Sequence, residues 1–115
     1  MENCEEINIA PGIKGIVVRA VPDFDSPYHK WNHSDWIILI ESVFINDEDI
    51  PEIVRFVSYD CEDKHFNISY SPQCWGDISG YKFYVASKKE RKLIIDELKR
   101  RGLKYVKILN KLIKR

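Results

Sequence analysis

The chain lacks the short patterns that name a reaction. There is no phosphate-binding loop, no dinucleotide glycine fingerprint, no zinc-protease helix motif and no serine elbow. Those absences weigh against an enzyme, so a non-enzymatic role with no cofactor is the expectation. Cysteine is scarce: Cys4, Cys61 and Cys74 are an odd set without regular spacing, and no C-x-x-C occurs. A disulfide framework is therefore excluded as an organising principle. No apolar run approaches the roughly 18 residues of a membrane span. The start of the sequence is acidic at Glu2, Glu5 and Glu6 and has no apolar signal core, which points to a cytoplasmic protein with free thiols. On that reading the sequons at Asn32 and Asn67 carry no glycan. Net charge is also missing, with 18 basic and 18 acidic residues.

What is present begins with size. At 115 residues, 44% hydrophobic and 31% charged, the sequence has the composition of one globular domain spanning 1–115. The zero net charge hides a sorting along the chain. From Asp23 to Lys64 there are eleven acidic residues against three basic, net −8. From Lys82 to Arg115 there are thirteen basic against three acidic, net +10. Such asymmetry speaks to partners rather than fold. Its plainest explanation is that the two regions attract one another within the folded protein.

Local patterns predict five strands followed by helices. Ile16–Val18 with Ala20 reads as a strand stopped by Pro22, and a short strand around Ile7–Ala10 could precede it. Residues 22–34 form a loop. Trp36–Ile45 is the most apolar stretch and is rich in β-branched and aromatic residues, as a central strand buried on both faces requires. Ile53–Tyr59 alternates weakly, with Ile53, Arg55 and Val57 set against Val54, Phe56 and Ser58. His65–Ser71 alternates more cleanly and completes a hairpin across the polar turn at 60–64. Residues 72–80 are another loop, and Tyr81–Ala86 is the last strand.

Ser87-Lys88-Lys89-Glu90 has the S-x-x-E form of a capping box. It predicts a helix from Lys88 to about Arg101, stopped at Gly102 and buried through Ile94, Ile95 and Leu98. Tyr105, Ile108, Leu109, Leu112 and Ile113 recur at helical spacing and predict a second helix. The expected fold is α+β: an antiparallel sheet of about five strands with two C-terminal helices packed on one face. The expected core comprises Val17, Ile38, Ile40, Val43, Phe56, Ile68, Phe83, Ile94, Leu98, Leu109 and Leu112.

Several groupings could carry chemistry. His29 with His33, and Cys61 with His65, supply four zinc-type donors, but both segments read as turns, where i,i+4 spacing does not make donors converge. Exposed loop histidines and inert thiols are the simpler account. Cys74 beside Trp75 and Gly76 could be a nucleophile, yet no residue identifies its base; a small apolar filler is the simpler account. Acid–base chemistry through a histidine and a lysine needs a cleft that sequence does not reveal.

Two binding roles remain. Lys88, Lys89, Lys92, Lys99, Arg100, Lys104, Lys107 and Lys111 could neutralise phosphates, which makes a nucleic-acid-binding domain the alternative. Lysine-rich solvated helix faces are common, however. Asp23, Asp25, Asp35, Asp47, Glu48, Asp49, Asp60, Glu62 and Asp63 fall mostly in expected turns, with Tyr28 and Trp31 among them. Acidic groups steer a basic partner, and exposed aromatics anchor it. The leading expectation is an immunity- or inhibitor-type protein, of the bacterial sort that blocks a toxin, capping a basic partner such as a nuclease domain. Asp47, Glu48 and Asp49 would steer and Tyr28 and Trp31 would anchor. The competing account is that acidic turns are merely solvated.

Overall fold

A computed structural model describes residues 5–27, 34–69, 75 and 78–101 of the chain. Five strands run in the order β1 (Ile16–Pro22), β2 (Trp36–Ile45), β3 (Pro51–Asp60), β4 (His65–Ile68) and β5 (Tyr81–Val85), followed by α1 (Lys88–Arg101). A 3-10 turn at Ile78–Gly80 leads into β5. The sheet order is β4-β3-β2-β1-β5, so the apolar stretch 36–45 is indeed the central strand. Every neighbouring pair is antiparallel.

Each face of the sheet buries its own core. On one side Val17, Ile37, Leu39 and Val57 pack with Ala86 and with Ile94 and Leu98 of α1. Ile94 and Leu98 are fully buried, and such a side chain is worth about 1.5–3 kcal/mol relative to exposure. On the other side Val18, Ala20, Ile38, Ile40, Phe56 and Phe83 pack with Ile9 and Trp75. Both faces of β2 are thus covered, which is why its sequence carries no alternation over 37–40.

The capping box forms as its spacing predicts. The backbone N–H of Glu90 donates to Ser87 Oγ at 3.2 Å, and that of Ser87 donates to Glu90 Oε1 at 2.8 Å. One helix, not two, follows the sheet in the described residues. The stripe at 105–113 lies outside them, as do core candidates Leu109 and Leu112. Ile68 is half-buried against the α1-side core rather than within it. The short strand expected at Ile7–Ala10 is replaced by an isolated bridge between Glu6 and Tyr84. Pro11 and Gly12 turn the chain soon after, and Gly12 has φ 96°, which leaves no length for a ladder.

The weak alternation of β3 has a structural cause. Ile40 pairs with Phe56 and Ser42 with Val54, while Glu41 and Arg55 between them drop out of the ladder. Strict alternation would put Val43 and Ile53 on the α1 face beside Leu39 and Val57. Instead they join Ile40 and Phe56 in the opposite core. Arg55 has φ 60°, a left-handed conformation that reverses which way the following side chains point. The grouping of Ile53 with Arg55 and Val57 is therefore corrected: Ile53 shares its face with Phe56. The same change of face turns Val43 inward and Phe44 outward.

Candidate functional site

The sheet register separates the acidic residues into two groups. Pairs Ala20↔Trp36, Trp36↔Asp60, Asp60↔His65 and Pro22↔Tyr81 lie at one end of the sheet. Asp23, Asp25, Asp35, Asp60, Glu62 and Asp63 belong to that end. Asp47, Glu48 and Asp49 cap the other end, in the turn between β2 and β3. The ten residues of β2 lie between the two groups, roughly 30 Å of strand. Tyr28 and Trp31 are outside the described residues, but the loop that contains them leaves β1 and enters β2 at the first end. A single acidic surface from 23 to 63 is not what the topology builds.

At the first end several carboxylates are already engaged. Asp35 Oδ2 accepts from Arg19 Nη2 at 2.5 Å and from Nε at 3.1 Å. The same guanidinium donates from Nη1 to Glu90 Oε2 of α1 at 3.0 Å. Arg19 points to the α1 face because it alternates with Val18 and Ala20, so β1, the start of β2 and the first turn of α1 are tied by one side chain. Asp60 is buried and its Oδ1 accepts from the backbone N–H groups of Glu62 and Asp63 at 2.9 and 3.3 Å. Asp23 Oδ1 likewise accepts from the N–H of Asp25 at 3.1 Å. These groups shape turns; Glu62 and Asp63 are exposed.

Cys61 lies beside this ion cluster. Burial pushes its thiol pKa up, and Asp35, Glu90 and Asp60 push the same way against the pull of Arg19. That environment opposes a reactive thiolate. His65 is exposed on β4. Among the described residues no three His, Cys, Asp or Glu side chains are grouped to hold a metal ion. His29, His33 and Cys74 lie outside the described residues. A shallow, open depression of about 330 Å³ between residues 6–9 and β5 is lined by Ile9, Ile78, Tyr81 and Phe83 with Glu6, Asp23 and Lys82.

The second end, like the first where Phe24 is 70% exposed between Asp23 and Asp25, sets exposed apolar side chains beside carboxylates. Asn46 organises the turn: its Oδ1 accepts from Glu48 N at 2.8 Å and Ile50 N at 3.0 Å, while its backbone N–H donates to Ile50 O at 3.0 Å. Asp49 adopts φ 61°, as aspartate tolerates in turns. The carboxylates of Asp47, Glu48 and Asp49 are left exposed. Beside them Phe44 is 59% exposed and Ile45 44%. Glu52 stands across the ladder from Phe44. Phe44 and Ile45, on opposite faces of the strand, thus stand exposed next to the acidic turn of the β2–β3 hairpin. Sequence reasoning missed Phe44 and Ile45 because they end the most apolar stretch and read as core. The available signal was the polar pair Glu41-Ser42 interrupting that stretch.

The basic residues of α1 form a third surface. Lys88, Lys89, Lys92, Lys99 and Arg100 are exposed. Lys92 pairs with Asp96 at 2.6 Å, and Glu97 accepts from Arg100 at 2.6 and 3.0 Å and from Arg101. Those bonds, led by Arg100, hold the Glu97 carboxyl below its ordinary pKa. Arg100 turns to Glu97 rather than Asp96, its i,i+4 neighbour. Lys104, Lys107 and Lys111 lie outside the described residues. Among the described residues, no ion pair joins a cation of α1 to the acidic turns between 23 and 63. Among the described residues, the ion pairs that reach from α1 to the first end of the sheet run from Glu90 through Arg19 to Asp35. No protein-family model, curated protein or solved structure matches the chain.

Proposed function

We propose that the protein is a non-enzymatic binding domain of the immunity or inhibitor type, which caps a basic protein partner such as a toxin or nuclease domain. The observation that carries this reading is the hairpin cap, where Phe44 and Ile45 stand exposed beside Asp47, Glu48 and Asp49. Carboxylates around an apolar centre steer a basic partner at long range and exclude water from the contact once it forms. The anchor in this reading is Phe44, adjoining the steering carboxylates, rather than Tyr28 and Trp31, which lie outside the described residues. The acidic residues of the far end of the sheet, Glu62 and Asp63 among them, would act only as a second, separate patch.

A comparative capture tests this. The wild-type protein and the Asp47→Lys/Glu48→Lys/Asp49→Lys variant are used as bait at low salt, with nuclease-treated lysate of the source organism. A basic protein retained by the wild type and lost from the variant supports the reading. Its association rate with the variant should fall about tenfold or more and lose much of its salt dependence. Retention by both baits with equal rates overturns it.

The nucleic-acid alternative is supported by the exposure of Lys88, Lys89, Lys92, Lys99 and Arg100. It is weakened at the position where a phosphate would bind best. The Glu90 carboxylate already occupies the first turn of α1, bonded to the Ser87 N–H and to Arg19, and an anion there would meet like charge. Absence of any DNA or RNA mobility shift near 50 mM salt would end this alternative.

A further inference from the structure

The β1–β2 ladder ends at Ile16↔Ile40, with one further bond from Gly15 N to Ile40 O at 2.8 Å. β2 and β3 continue paired to Ile45↔Pro51. From Glu41 to Ile45, therefore, β2 has no second strand beside it among the described residues. A strand edge left this way presents backbone donors and acceptors to whatever extended chain arrives. The β3 edge before Val57 takes bonds from Ser69 N to Phe56 O at 3.0 Å and from Trp75 N to Ile53 O at 2.8 Å, and the edges at β5 and β4 are treated differently again. That of β5 is taken by residues 5–7, through Val85 N to Glu5 O at 2.8 Å and Ile7 N to Phe83 O at 2.9 Å. β4 is only four residues long, with exposed His65 and Asn67. The stretch 41–45 contains neither the lysine nor the proline that usually blunts an edge.

Charge then selects the occupant. Residues 41–52 carry five carboxylates and no cation. A second copy pairing edge to edge would bring two such segments together and is disfavoured by like charge. A lysine- or arginine-bearing strand is favoured. We infer that β2 accepts an extended, basic segment of a protein partner as an added strand along Glu41–Ile45. Phe44 packs on its apolar residues, and Asp47, Glu48, Asp49 and Glu52 pair with its cations. Main-chain bonds supply affinity in this mode and the flanking side chains supply choice. The inference rests on the docking reading above and specifies how the partner is held.

The test uses capped peptides of alternating lysine and valine, six residues long, titrated into the full-length protein and followed by backbone amide shifts. Three forms are compared: unmodified, methylated at every valine nitrogen, and methylated at every lysine nitrogen. Methylation removes N–H donors without changing charge, and only one of the two sets would face β2. The expected result is shifts centred on residues 42–45 and at least a tenfold loss of affinity for one methylated form. Equal affinity of all three forms overturns strand addition but leaves the docking reading standing, since charge alone then suffices. No binding by any form, or shifts centred on His65–Ile68, also overturns it. Undiminished binding to the Asp47→Lys/Glu48→Lys/Asp49→Lys variant sinks both the inference and the reading beneath it.

Discussion

Arg19 holds Asp35 and Glu90 together, and each carboxylate would face the other uncompensated without it. Their side chains are 28% and 14% exposed, so part of the desolvation is real. Arg19 itself is 42% exposed, and solvent screening keeps the net effect modest. Arg19→Met should cost about 1–2 kcal/mol of unfolding free energy. A double-mutant cycle with Asp35→Asn, read by urea denaturation, should recover part of that loss as coupling. At Cys61 the sign of the pH effect follows from burial. A thiol whose pKa is raised by folding stabilises the protein below its unfolded value, and that contribution is lost as pH rises through the folded value. Alkylation of Cys61 should accordingly be slower at pH 8 than that of a solvent-exposed thiol. Glu97 behaves oppositely. Its carboxyl is held low by Arg100 and Arg101, so its contribution is intact at neutral pH and fades as pH falls through that lowered value.

Two elements carry most of what the sequence foretold and most of what it hid. The capping box made α1 legible from Ser87 and Glu90 alone, because the motif is local and its bonds need no tertiary partner. Ser87→Ala should therefore cost about 1 kcal/mol, measurable as a shift in the denaturation midpoint. The apolar length of 36–45 made the central strand equally plain. The β2–β3 arm was not legible, since its change of face depends on a left-handed backbone at Arg55, and arginine does not advertise one. Arg55→Gly should stabilise by about 0.5–1 kcal/mol, as glycine adopts that conformation without the Cβ penalty. Arg55→Val should destabilise by more than that. Equal stability of the two variants would mean that Arg55 does not hold the arm in this geometry. Phe44 went unrecognised for the same reason, because its exposure is a consequence of the flip rather than of its own neighbours in sequence.

For the whole molecule, the sorted charges became three surfaces: a turn-forming acidic end, an apolar and acidic hairpin cap, and the exposed cations of α1. Linear sorting showed that such surfaces exist but not that β2 divides the acidic ones, because register is a tertiary fact. Phe44→Ala should separate binding from folding. An exposed side chain contributes little to stability, yet as an anchor its loss should weaken the partner by about 2 kcal/mol or more. The most direct test of the hairpin cap is hydrogen exchange of the full-length protein with and without the basic partner obtained by capture. Protection of the amides from residue 41 to residue 50, with little change along α1, is the predicted outcome. Protection confined to residues 88–101, with the hairpin exchanging as freely as before, would contradict it.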